Sequence, residues 1–103
     1  MPEFRVYRNT AASCDHYPFL IDVQSELLSA LATRLVIPLV ASAGFGKAIK
    51  NLNPTVTIGG THYSALAQQM AAVPRAMLGE AVEGAEVDRG QILSAIDFLV
   101  TGI

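Results

Sequence analysis

The distribution of apolar residues predicts short strands over most of the chain and one helix at its end. Phe4 and Val6 alternate with Arg5 and Tyr7, the period of a strand with one buried face. After a turn-rich segment from Asn9 to Pro18, Phe19, Ile21 and Val23 alternate with Leu20, Asp22 and Gln24. Three large apolar groups then share one face, and this strand is expected to be central. The run Arg34-Leu35-Val36-Ile37-Pro38-Leu39-Val40 is short and β-branched, but Pro38 has no amide for a ladder bond and so marks an edge, a bulge or the strand's exit. Thr55 to Ile58, then Gly59-Gly60, then Thr61 to Leu66 read as a two-residue hairpin, because glycine accepts the positive φ of primed turns. Met70 to Leu78 adds a further strand, with Val73-Pro74 again pointing to an edge.

From residue 88 the spacing changes. Asp88 is placed to accept a bond from the Gln91 amide while Gln91 reaches back, a variant of the capping box, and its charge suits the positive end of a helix. The helix runs from about Arg89, with Ile92, Ala95, Ile96 and Leu99 on the stripe that faces the sheet. Leu93, Phe98 and Val100 fall off that stripe. A helix apolar on more than one side is deeply buried or covered by a partner, and so small a domain has little depth. A homodimer is the simpler reading, with Leu93, Ile96 and Val100 at its interface; the alternative is that the extra apolar residues close the open end of the sheet. The apolar character continues to Gly102-Ile103, which marks the tail as a contact surface.

With 103 residues, 51% of them hydrophobic, the chain is expected to form a single domain over residues 1–103, α+β and mainly β, with a real core. Seven basic and nine acidic residues leave a formal charge of −2, which disfavours direct nucleic-acid binding. The strongly apolar run Leu35 to Ala41 is interrupted by Pro38 and falls short of the ~20 residues of a membrane helix. Met1-Pro2-Glu3 does not read as a signal peptide, and the single Cys14 suits a reducing compartment, so a cytoplasmic location without a membrane partner is expected.

Candidate chemistry is thin. Cys14, Asp15 and His16 are adjacent, but neighbouring residues in a strand or turn point apart, which argues against a nucleophile and its base. His62 has no second ligand at metal spacing. Gly44-Phe45-Gly46-Lys47 hints at a phosphate loop, yet Ala48 stands where the pattern needs Ser or Thr. Glu80, Glu83, Glu86 and Asp88 read as a solvated acidic loop. No metal, cofactor or catalytic residue is assigned, and the chain is not read as an enzyme.

Phe4-Arg5-Val6-Tyr7, Asp22-Val23-Gln24-Ser25, Arg34-Leu35-Val36-Ile37-Pro38-Leu39, Thr57-Ile58-Gly59, Met70-Ala71-Ala72-Val73-Pro74, Leu78-Gly79-Glu80 and Gly102-Ile103 resemble, in this order, the CcdB family of gyrase-poisoning toxins. The resemblance implies an SH3-like, barrel-like antiparallel sheet with a small sheet wing and a C-terminal helix at a two-fold dimer interface. It implies a toxin of a type II toxin–antitoxin system, serving plasmid maintenance, whose dimer contacts the A subunit of DNA gyrase and traps the enzyme with its DNA cleaved. It further implies a CcdA-like antitoxin that folds on the toxin, and DNA contact only through that pair when it represses its operon. The gyrase-facing positions carried over are Leu27, Leu28, Asp97, Val100, Thr101, Gly102 and Ile103. The family pattern has Trp, Phe and Asn where this chain has Thr101, Val100 and Asp97. Two alternatives stay open: a homologue that keeps dimerisation and antitoxin binding with a lost or changed target, and a ribonuclease toxin, for which no Arg, His and carboxylate set is visible as a unit.

Overall fold

The computed structural model describes residues 4–102. Seven strands form one antiparallel sheet: β1 (Arg5–Asn9), β2 (Phe19–Asp22), β3 (Thr33–Ala41), β4 (Thr55–Ile58), β5 (Thr61–Ala65), β6 (Ala71–Pro74) and β7 (Leu78–Ala81). Their spatial order is β4-β5-β3-β2-β1-β7, with β6 also on β3. Two α-helices accompany them, α1 (Ser42–Phe45) and α2 (Arg89–Thr101). The β2 segment is central, as its pattern predicted. β1 starts one residue later than predicted, because Phe4 has φ +63° and is not extended.

Pro38 lies in the middle of β3, the longest strand, and not at an edge or exit. β3 changes partner there: residues 33–36 pair with β6 and residues 39–41 with β5, while residues 36–39 pair with β2 on the other side. The Val23 amide donates to Leu35 O, so alternation along the ladder turns the backbone groups of Pro38 away from β2, toward the gap between β6 and β5. Pro38 O accepts from Leu66 N there, at 2.9 Å, and no strand stands opposite its nitrogen. The missing amide falls where no ladder bond is needed.

The sheet is buried on both sides along β2. One face carries Val6, Phe19, Ile21, Ile37, Leu39 and Ala65 into the main core, where Ile92 and Ala95 of α2 meet them. The strict in–out alternation expected of β1 and β2 does not hold, since Val6 and Tyr7 are both buried and all four residues of β2 are buried. The cause is long-range. β6 pairs with β3 and β7 with β1, so the chain from 71 to 81 passes over β2 and covers Tyr7, Leu20, Val36 and Pro38 on the second face. The single strand predicted over Met70 to Leu78 is thus two strands, separated by a 3-10 turn at Arg75–Met77; β6 pairs only with β3 and is an edge, as Val73-Pro74 implied. Gly79 permits the close approach of β7 to β1, for a Cβ there would lie 2.9 Å from Thr10 Cγ2 and 3.1 Å from Arg8 O.

The hairpin forms as read, with Ile58 opposite Thr61 and both Gly59 (φ +57°) and Gly60 (φ +81°) in the left-handed region. At the start of α2 one half of the expected capping box forms, Asp88 Oδ1 accepting from Gln91 N at 3.1 Å. At its end Gly102, with φ +74° and ψ +16°, donates to Phe98 O. Its buried stripe differs from the prediction. Ile92 and Ala95 are buried, Phe98 packs against the core, and Leu99 is 40% exposed. Ile96 packs against the core as the stripe predicted, so Leu99 is the one member of the four that turns to solvent, and Phe98 takes part in the contact instead.

Candidate functional site

Two surfaces carry the residues singled out in the sequence, and the first is built on a buried ion pair. Asp22 and Arg34 are both 0% exposed. Asp22 stands opposite Val36, two residues from Arg34, which puts carboxylate and guanidinium diagonally across the β2–β3 ladder. Arg34 Nε donates to Asp22 Oδ2 at 2.8 Å and Nη2 donates to Oδ1 at 3.1 Å. Asp22 Oδ1 also accepts from Gln24 N at 3.0 Å, and Arg34 Nη2 reaches Gln24 O at 3.3 Å. Both Asp22 oxygens and Arg34 Nε and Nη2 are hydrogen-bonded, while Arg34 Nη1 is buried with no partner among the described residues.

The chain leaves this network as a 3-10 turn, Glu26–Leu28. Ser25 Oγ accepts from Leu27 N at 3.2 Å, and Leu28 N donates to Ser25 O at 3.0 Å. Gln24 Nε2 donates to Leu28 O at 3.1 Å, and Gln24 Oε1 accepts from Leu35 N at 2.9 Å. On the far side Arg75 holds the return, its Nη2 donating to Leu31 O at 3.0 Å. On this framework Leu27 is 94% exposed, Leu28 50% and Leu31 49%. The sequence reading missed Leu31, Gln24 and the ion pair. The signal for the pair was an Asp and an Arg of opposite sign inside adjacent apolar strands.

The second surface is on α2. Leu93, Ile96, Asp97 and Val100 share a helix face, since spacings of three, four and seven bring side chains together. Val100 is 73% exposed, Leu93 43%, and Ile96 is half-buried. Thr101 is exposed and turns back on its own helix, its Oγ1 donating to Asp97 O at 2.7 Å. Ile103 lies outside the described residues. The structure thus groups Leu27 and Leu28 with Leu31 on one turn, and Asp97 and Val100 with Leu93 and Ile96 on one helix face. Separate elements carry the two groups.

The remaining candidates are exposed and local. Cys14 and Asp15 belong to the 3-10 turn Ala12–Asp15, and the His16 ring meets Tyr17 edge-on, with centroids 4.5 Å apart. His62 Nδ1 is 3.0 Å from Thr57 Oγ1 across the hairpin. Glu86 is tied down by its backbone, exchanging two bonds with Thr57 of β4. Among the described residues no group of three or more His, Cys, Asp or Glu side chains is arranged to hold a metal, and no helix is long and apolar enough to cross a membrane.

The family model of the CcdB protein matches residues 3–102. The match covers the exposed turn, the described face of α2, the buried ion pair and every strand of the sheet. By that match and by its antiparallel sheet with a C-terminal helix, the chain belongs to the CcdB family, the toxins of toxin–antitoxin pairs.

Proposed function

We propose that this protein poisons DNA gyrase, its homodimer binding the A subunit and trapping the enzyme with its DNA cleaved. The observation that carries this reading is the 94% exposure of Leu27 on a turn held from below by hydrogen bonds. Burying one such leucine against a partner is worth about 1.5–3 kcal/mol, and a two-fold dimer offers it twice. Leu27 and Leu28 then form one contact and Asp97, Val100, Thr101, Gly102 and Ile103 the other. Leu93, Ile96 and Val100 join the protomers. A CcdA-like antitoxin neutralises the toxin, and the pair represses its own operon, touching DNA only as a complex. The protein acts in the cytoplasm.

A second reading is favoured by one observation. Thr101 stands where the family pattern has Trp, and its hydroxyl bonds to its own helix. Trp is the side chain most enriched in binding hot spots, whose truncation costs about 2 kcal/mol or more. Asp97 adds a negative charge to each protomer beside it. On this reading the dimer and the antitoxin contact persist, and the target has changed.

Both readings are tested by incubating the protein with gyrase, relaxed plasmid and ATP and measuring linear DNA after detergent and protease treatment. Linear product from the native protein that disappears with Leu27→Asp supports gyrase poisoning. Linear product only from Thr101→Trp supports the changed target. None from either refutes gyrase as the target of this scaffold.

A further inference from the structure

A turn that presents three leucines to solvent has little packing of its own to hold it, and its apolar tips would be less exposed if it folded down onto the sheet. Leu27 nevertheless stands 94% exposed. What prevents collapse is polar: Ser25 accepts from Leu27 N and Leu28 N, Leu28 O accepts from Leu31 N, and Gln24 alone ties the turn to both the ion pair and β3. Gln24 is only 9% exposed and uses all four of its polar groups. Its amide donates to Asp22 Oδ1 and its carbonyl accepts from Arg34 Nη2, which fixes the backbone to the buried ion pair. Its side chain bridges outward: Oε1 accepts from Leu35 N of β3, and Nε2 donates to Leu28 O in the turn. One partner is a donor and the other an acceptor, so only this orientation of the carboxamide satisfies both. A carboxylate of the same shape satisfies the first and repels the second.

We infer that Gln24 is the positioning residue of the Leu27–Leu28 turn: its Nε2 bond to Leu28 O holds both leucines in the outward geometry that a protein partner binds. The inference rests on the reading of Leu27 and Leu28 as gyrase-facing and adds what sets their affinity. Gln24 itself is nearly buried and acts through the turn.

The test uses the full chain and Gln24→Glu, which keeps the acceptor for Leu35 N and removes the donor to Leu28 O, with Gln24→Ala removing both. Amide hydrogen exchange is measured on the free protein and dissociation is measured from the gyrase A subunit. Exchange is expected to quicken about tenfold at Leu28, Ser29 and Leu31 in Gln24→Glu and to stay unchanged at Leu35 and Ile37. Dissociation is expected to quicken about tenfold, or about 1.4 kcal/mol, with association nearly unchanged. A merely structural role would instead lower the melting temperature and quicken exchange along β2 and β3 together. Unchanged exchange in the turn overturns the inference, and so does faster exchange with unaltered dissociation. If Gln24→Ala fails to fold, Gln24→Glu decides alone. If Leu27→Ala leaves gyrase affinity intact, the gyrase-facing reading falls, and the exchange data still show whether Gln24 holds the turn.

Discussion

Arg34→Met tests the framework beneath the exposed turn. In the native protein the Asp22 carboxylate, 0% exposed, accepts three hydrogen bonds: Arg34 Nε at 2.8 Å, Arg34 Nη2 at 3.1 Å and Gln24 N at 3.0 Å. Replacing Arg34 by Met removes two of the three and leaves a buried charge with one amide. Breaking a buried pair in this way costs about 3–5 kcal/mol, against a total stability of about 5–15 kcal/mol for a domain of this size. Asp22→Leu strands the guanidinium and is expected to cost a similar amount. Asp22→Leu with Arg34→Met removes both charges, leaves no ion unpaired and is expected to lie within about 1–2 kcal/mol of the native protein. The cycle then gives a coupling of several kcal/mol, far above the roughly 0.2–1 kcal/mol of an exposed pair. The assay is urea unfolding followed by far-ultraviolet circular dichroism, since the chain has no Trp. Protein concentration is held fixed because association adds to apparent stability. Single-variant losses below about 1 kcal/mol, or losses that simply add in the double variant, would refute the argument.

Gly79→Ala is expected to destabilise by about 1–3 kcal/mol, because the new methyl meets Thr10 Cγ2 at 2.9 Å and Arg8 O at 3.1 Å. Thermal melting measures it, and adding Thr10→Ser should relieve only the first of these clashes. Asp88→Ala removes the acceptor for Gln91 N and is expected to cost about 1 kcal/mol, with Asp88→Ser nearly neutral, by the same melts. Val100→Asp, at a side chain 73% exposed, is expected to halve the mass seen by sedimentation equilibrium while the far-ultraviolet spectrum stays native; a persistent dimer would place the interface elsewhere.

Local chemistry was readable along the chain, and closure was not. Gly59-Gly60 required a primed turn and formed one, and Asp88 followed by Gln91 fixed the start of α2, because a few neighbouring residues decide each. Pro38 was read as an edge, a bulge or the strand's exit because the change of partner that makes its missing amide harmless involves residues 66 and 71–74, far along the chain. Tyr7 and Leu20 looked solvent-facing for the same reason: β6 and β7, which cover them, fold back from a stretch whose own pattern does not show the turn at Arg75–Met77. On α2, period alone put Leu99 on the stripe and Phe98 off it, and the packing reverses them, since Phe98 meets the core and Leu99 is exposed. At the candidate site Leu27 and Leu28 came from the family resemblance. Gln24, which ties them down, appeared only as a polar position in an alternating strand.

The seam between β1 and β7, with Tyr7 opposite Ala81 and Asn9 opposite Leu78, joins segments made early and late in synthesis. Ile92 and Ala95, which complete the core over Val6, Ile21 and Ile37, come later still. At roughly 5–20 residues per second on the ribosome, the first strands wait several seconds for these partners. In that interval the sheet has neither its closing strand nor its helical roof, and pairings so distant in sequence are slow to form. The core is therefore complete only once residues 78–95 have been made and can reach the first strands. Binding by a folded surface begins only then, and a nascent chain that stops before residue 89 lacks the roof its core requires.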